Sequence, residues 1–146
     1  MKSMDVLIDT NVILNALTQR DDPFKEASIR VMELCASGAL NGYMAFHSLS
    51  TVWYLIRKAR SDKDARYLLE NACKILKIAA ATREQVMDAI ADTAFRDFED
   101  CLQDKCAQSV GAEYLVTCNI RDFRHAQTRA VTPDEMLDIL GAEKET

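Results

Sequence analysis

The stretch DVLIDTNVIL, residues 5–14, sets a carboxylate, Asp9, between a short apolar run and Thr10 and Asn11, after which apolar residues resume at helical spacing. An unpaired buried charge is costly, so a carboxylate ending a buried strand needs compensation. A helix N-terminus, a cationic partner or a metal ion would each supply it. Two later segments carry similar groups. RDFED, residues 96–100, holds Asp97, Glu99 and Asp100; TCNIRDF, residues 117–123, holds Thr117, Asn119 and Asp122. Taken singly, each acid has an ordinary reading: Asp9 as an Asx cap, Asp100 as a helix-opening acid, Asp122 as a turn residue. Softer ligands are not arranged for metal binding. The five cysteines are widely spaced and form no CxxC pair, and His47 and His125, the only histidines, read as surface or capping residues. Oxygen donors of this kind suit Mg²⁺ or Mn²⁺.

These side chains can act together only if the fold delivers them to one place. The pattern predicts strands at 5–8, in NGYMAF (41–46, with an Asn-Gly turn in front), in KILKIA (74–79), in EYLVT (113–117) and, at an edge, in RAVT (129–132). Helices are expected from Thr10 or Asn11, from Pro23 to about Ser37 with Gly38 as terminator, from Ser48 through RKAR, and from Ser61 or Asp62. Thr82 followed by Gln85 matches a capping box; RDFED opens a helix that Gly111 ends, and Pro133 opens the last one. Strands alternating with helices imply an α/β fold, with a mainly parallel sheet of four or five strands covered on both faces. Ligands of such sheets sit beyond the carboxyl ends of the strands. Asp9 and the Thr117–Asp122 segment leave those ends, and the helix opened by Asp97, Glu99 and Asp100 begins there. Their joint placement favours a shared site.

The 146 residues suit one domain, expected over 1–141, with a frayed tail at 142–146. No apolar run is long enough to span a membrane, and MKSMDVLIDT has no signal-peptide core, so a cytoplasmic protein is expected. A net charge of −5 argues against a large basic nucleic-acid surface but not against a nuclease whose acids hold a cation. RKAR, residues 57–60, reads first as a solvated helix face; Arg121, Arg124 and Arg129 form a looser basic group.

LIDTNVILNAL at 7–17, DFEDCLQDKCAQSVGAEYLVTCNIRDF at 97–123 and VTPDEML at 131–137 resemble a PIN domain, most of all its VapC-like group. The resemblance runs the length of the chain. It implies a three-layer α/β/α fold and a Mg²⁺- or Mn²⁺-dependent endoribonuclease acting on RNA. It also implies homodimerisation and, in many relatives, a toxin paired with an antitoxin protein. By position it makes Asp9, Asp100 and Asp122 catalytic metal ligands, with Thr10, Asn11 and Thr117 orienting ligands or contacting phosphate. Two positions depart from the family pattern: Thr51 stands where a Glu is common and Asn119 where an Asp is common. Glu99, Asp97 or Asp104 would then supply the missing charge. The alternative is a PIN-like module with a weakened acid set that binds RNA or protein without cutting.

Overall fold

The structure, a computed structural model, describes residues 2–145. Five strands form one parallel sheet: β1 (Met4–Ile8), β2 (Leu40–Ala45), β3 (Lys77–Ala79), β4 (Tyr114–Val116) and β5 (Arg129–Val131), in the order β3-β2-β1-β4-β5. The expected neighbours pair in register, Val6 with Tyr114 and Ile8 with Val116, so the EYLV segment lies directly beside DVLI. Among the described residues, seven helices connect and cover the sheet: α1 (Thr10–Leu17), α2 (Lys25–Ser37), α3 (Ser48–Ala59), α4 (Asp62–Ile75), α5 (Arg83–Ala91), α6 (Phe98–Ser109) and α7 (Pro133–Glu145). Of the tail expected over 142–146, Thr146 lies outside the described residues.

β1 is central, and its successive side chains enter two different cores. Val6 and Ile8 pack with Ile13 of α1, Val31 of α2, Ile56 of α3 and Met136 of α7. Leu7 points the other way, to Ala89 of α5, Cys106 and Ala107 of α6, and Phe123. Period-two alternation in a strand buried on both faces explains why the apolar run is continuous. The result is the three-layer α/β/α arrangement.

Local signals end most helices as the sequence implies. Ser61 caps α4 by accepting from Asp64 N, Thr82 and Gln85 form a reciprocal capping box on α5, and Gly38 closes α2 with φ 84°. Two boundaries differ. α4 runs to Ile75, so only Lys77–Ala79 of KILKIA is strand. Asn41-Gly42 is not a turn but lies inside β2, paired with Asp5 and Val6. Gly42 is there because space is short: a Cβ would fall 2.6 Å from both Cys35 Sγ and Leu76 Cδ2. Cys35 and Leu76 are themselves buried, so either must shift to admit a Cβ.

Gly42→Ala should therefore destabilise the protein by roughly 1–3 kcal/mol through overpacking. A urea titration should show a lower midpoint with an unchanged slope. An unchanged midpoint would mean that Cys35 and Leu76 relax without cost.

Candidate active site

Asp9 ends β1 and caps α1. Its Oδ1 accepts from Thr10 N at 2.8 Å and its Oδ2 from Thr117 Oγ1 at 2.8 Å. Helix terminus and hydroxyl are thus part of the compensation the sequence demands, but they do not complete it. Burial pushes the Asp9 carboxyl up to about 6; the Thr117 bond offsets part of this, and the nearby charge of Glu99 adds to it.

The charge of Asp9 also acts on Asp100, in the first turn of α6. Burial, followed by the charges of Glu99, Asp97 and Asp9, raises Asp100 to about 8. Asp97 is the N-cap of α6, accepting from Glu99 N at 2.8 Å. Segments far apart in sequence therefore bring Asp9, Glu99 and Asp100 within electrostatic reach of one another.

Glu99 behaves differently. Burial disfavours its charge, but hydrogen bonds from His47 and Gln103 outweigh that and hold the carboxyl below its usual range. Both donors reach the same oxygen, Oε1: His47 Nε2 at 3.0 Å and Gln103 Nε2 at 2.8 Å. Burial likewise works against the charged imidazole, yet the Cys106 thiol and Glu99 beside it raise His47 to about 9.

Gln103 is fully buried and continues the network inward. Its Nε2 lies 2.8 Å from Ser48 Oγ and 3.3 Å from Thr10 Oγ1, and Thr10 Oγ1 donates to Ser48 Oγ at 2.8 Å. The backbone of Thr10 returns to Asp9, so the floor under the acids is one connected polar network. Gln103 Oε1 alone has no partner in it. His47, Ser48 and Gln103 were not among the sequence candidates. The available signal was Gln103 four residues after Glu99 on one helix face; nothing in a lone His-Ser pair announced the other two.

The remaining candidates sit further out. Thr117 is buried on Asp9 and also accepts from Asn119 N at 3.0 Å. Asn11 is half-buried in the first turn of α1. Asn119 and Asp122 are exposed, at the start and within the short 3₁₀ turn Ile120–Phe123, and Asp122 is not among the charges that shift Asp9 or Asp100. Thr51 is exposed on α3, one turn beyond the inward-facing Ser48. Asp104 is committed to the fold, accepting from Gln127 N at 3.0 Å, Thr128 N at 3.1 Å and Gln108 Nε2 at 2.9 Å. It has no part in the acid group. Among the described residues, no three His, Cys, Asp or Glu side chains are arranged to hold a metal ion by themselves.

Comparison with known proteins places the fold. The sequence profile described as PIN domain matches residues 5–121. No curated protein matches the chain significantly. Solved structures do. VapBC2 from Rickettsia felis, bound to a DNA fragment from its promoter, aligns with a TM-score of 0.67 at 18% identity, covering 88% of this chain and 98% of that one. VapBC-1 from nontypeable Haemophilus influenzae aligns at 0.65 and 19% identity, over 90% and 99%. VapC20 of Mycobacterium tuberculosis, described as a toxin that cleaves the sarcin-ricin loop, aligns at 0.59 and 15% identity, over 75% and 86%. At these identities the similarity establishes the fold.

The acid group sets a pH dependence. An acid whose pKa is higher folded than unfolded binds more protons in the folded state, so its contribution to stability falls as pH rises between the two values. For Asp9 that window is 3.8 to about 6 and for Asp100 3.8 to about 8. His47, raised from 6.5 to about 9, gives stability that is full below 6.5 and lost by about 9. Without divalent cation, the thermal midpoint should fall from pH 6 to pH 9, and Asp100→Asn should flatten the part below pH 8. A wild-type midpoint that is level across this range would contradict the assignment.

Proposed function

The chain belongs to the PIN domain family, and from that premise we propose that it is a Mg²⁺- or Mn²⁺-dependent endoribonuclease, the toxin of a toxin–antitoxin pair. The observation that carries this reading is the buried carboxylate of Asp9 at the carboxyl rim of the central strand, with Asp100 in the first turn of α6 within its electrostatic reach. Two hard-oxygen groups whose charge is disfavoured first by burial and then by the neighbouring charge of Glu99 fit a divalent cation, which would stabilise their ionised forms. Mg²⁺ commonly takes only one or two carboxylates and completes its octahedron with waters and substrate phosphate. The donor set therefore fits without a closed three-residue cage.

Asp9 and Asp100 would hold the cation, with Glu99 beside them and Asp122 acting through water. When bound, the cation supplies Lewis acidity toward a phosphoryl oxygen and a more acidic water. The chain's own part is to aim the donors. Thr10 N and Thr117 Oγ1 fix the two oxygens of Asp9, and His47 and Gln103 fix Glu99 through one oxygen only. The Thr10–Ser48–Gln103 network keeps these two anchors in register. An antitoxin partner is supported by the relatives solved as toxin–antitoxin complexes. An apolar cleft of about 520 Å³ between α1 and α3, lined by Leu14, Thr18, Leu55, Ile56 and Ala59, would offer it a docking place. Homodimerisation is proposed on the resemblance alone.

The second reading, an RNA- or protein-binding module that no longer cuts, is favoured by the neutral Thr51 and Asn119 and by the outlying Asp122. Cleavage of a structured RNA pool across a Mg²⁺ and Mn²⁺ titration separates the two. Wild type should cut, chelation should stop it, and Asp9→Asn or Asp100→Asn should each lower the rate about 100-fold or more, since even groups behind the ligands commonly cost 10–100-fold. Equal background for wild type and Asp100→Asn at every metal concentration would hand the protein to the second reading.

A related outcome concerns affinity. Asn119→Asp and Thr51→Glu each add a negative charge near a partly desolvated site, where the effective dielectric is well below that of water. Calorimetry should find tighter Mn²⁺ binding for at least one of them. If both leave the affinity as it was, those positions lie outside the cation's reach.

A further inference from the structure

His47 does not suit the place it occupies by the rules of helix formation. It is the N-cap of α3, where Ser, Thr, Asp or Asn would take up a free N–H group and where the helix dipole disfavours a cation. Its side chain makes no capping bond. The ring reaches instead to α6, where Nε2 donates to Glu99 Oε1 at 3.0 Å.

Glu99 is in turn held by one oxygen. Gln103 Nε2 reaches the same Oε1 at 2.8 Å, and among the described residues no N–H or hydroxyl donates to Oε2. Gln103 is fully buried and is tied by Nε2 to Ser48 Oγ at 2.8 Å, so this anchor is set in the interior. The carboxyl of Asp100 also lies within hydrogen-bond reach of Glu99. Two carboxyls in contact need a proton or a cation between them. Below them, Gln103 Oε1 is buried without a partner. A water carried by a cation would supply the donor it lacks.

The segment that delivers His47 is the one that lacks an acid. Thr51 stands where a Glu is common in the family, and it is exposed on α3. The start of α3 thus contributes a donor that grips a carboxylate of α6. We propose that Glu99 takes the place of the missing carboxylate as a donor to the cation, and that His47 is the positioning residue behind it: with Gln103 it holds Oε1 and leaves Oε2 to the metal. The proposal rests on the cation-dependent reading of the site.

The test is Mn²⁺ binding by calorimetry at pH 7, without RNA. Glu99→Gln keeps an acceptor for His47 and Gln103 but loses the charge, and should bind Mn²⁺ more weakly by about tenfold or more. Asp97→Asn removes a neighbouring, exposed charge and keeps an N-cap side chain; it should lose less than about threefold, since salt screens it. His47→Leu should lose about tenfold. His47→Gln, whose amide can still donate to Glu99, should recover most of that loss. Added to Glu99→Gln, His47→Leu should cost nothing further, because its effect passes through Glu99. Thermal unfolding without metal reports a folding defect separately. Unchanged affinity in Glu99→Gln, equal losses for Asp97→Asn and Glu99→Gln, or a His47→Leu loss that persists in full in the Glu99→Gln background each overturn the proposal. A wild type that binds no Mn²⁺ overturns it together with the cation-dependent reading. Mn²⁺ binding that depends on Glu99 and His47, in a protein that cuts no RNA, upholds it and overturns the ribonuclease reading alone.

Discussion

The carboxylate of Asp9, 4% exposed at the end of the central strand, is the constraint around which the functional half of the molecule is built. Leaving it bare would cost several kcal/mol. The N-terminus of α1 takes one oxygen and the Thr117 hydroxyl takes the other. The first bond requires α1 to begin at Thr10, with Asp9 extended at φ −66° and ψ 153°. The second requires β4 to pair with β1, which places Thr117 one residue past Val116 and beside Asp9. Helix start and strand register are thereby tied to one side chain. The compensation is still incomplete, which is why the carboxyl holds its proton well above the ordinary range.

The same constraint explains why polar groups collect under the rim. α6 begins against β1 and brings Glu99 and Asp100 with it, so charge of the same sign accumulates. The fold divides the load. Glu99 is given a cation, His47, and an amide, Gln103, and stays ionised; Asp100 is given neither and rises to about 8. Two adjacent acids thus have opposite protonation behaviour because of their partners and not their identity. Polarising partners held in place before a ligand arrives are what a metal or phosphate site requires, since no reorganisation is then needed on binding.

What could be read from the sequence follows from the range of each interaction. Ser61, the Thr82–Gln85 box, Gly38 and the short apolar run of DVLI act within a few residues, and the structure reproduces them. The nearness of Asp9 to the α6 acids was also legible, because sheet topology has few options once strands alternate with helices. The misplacements are all tertiary. Asn41-Gly42 has the composition of a turn, but Gly42 is needed where α2 and the end of α4 press on β2. His47 looked like a cap, and only the folded chain brings it to Glu99, 52 residues away. Asp122 looked equivalent to Asp100, but its 3₁₀ turn leaves it in water.

The acids of α6 carry this point furthest, because four of them share one helix and its cap and have four occupations. Asp97 caps the backbone, Glu99 pairs with His47, Asp100 faces Asp9, and Asp104, one turn on, accepts two backbone N–H groups from the loop before β5. Asp104 is as buried as any of them, at 1% exposure, yet its oxygens are consumed by Gln108, Gln127 and Thr128. Burial alone therefore does not mark the group available for chemistry. What separates Asp100 from Asp104 is that the fold gives Asp104 three donors and leaves Asp100 beside other negative charges without a cation, although the two lie four residues apart.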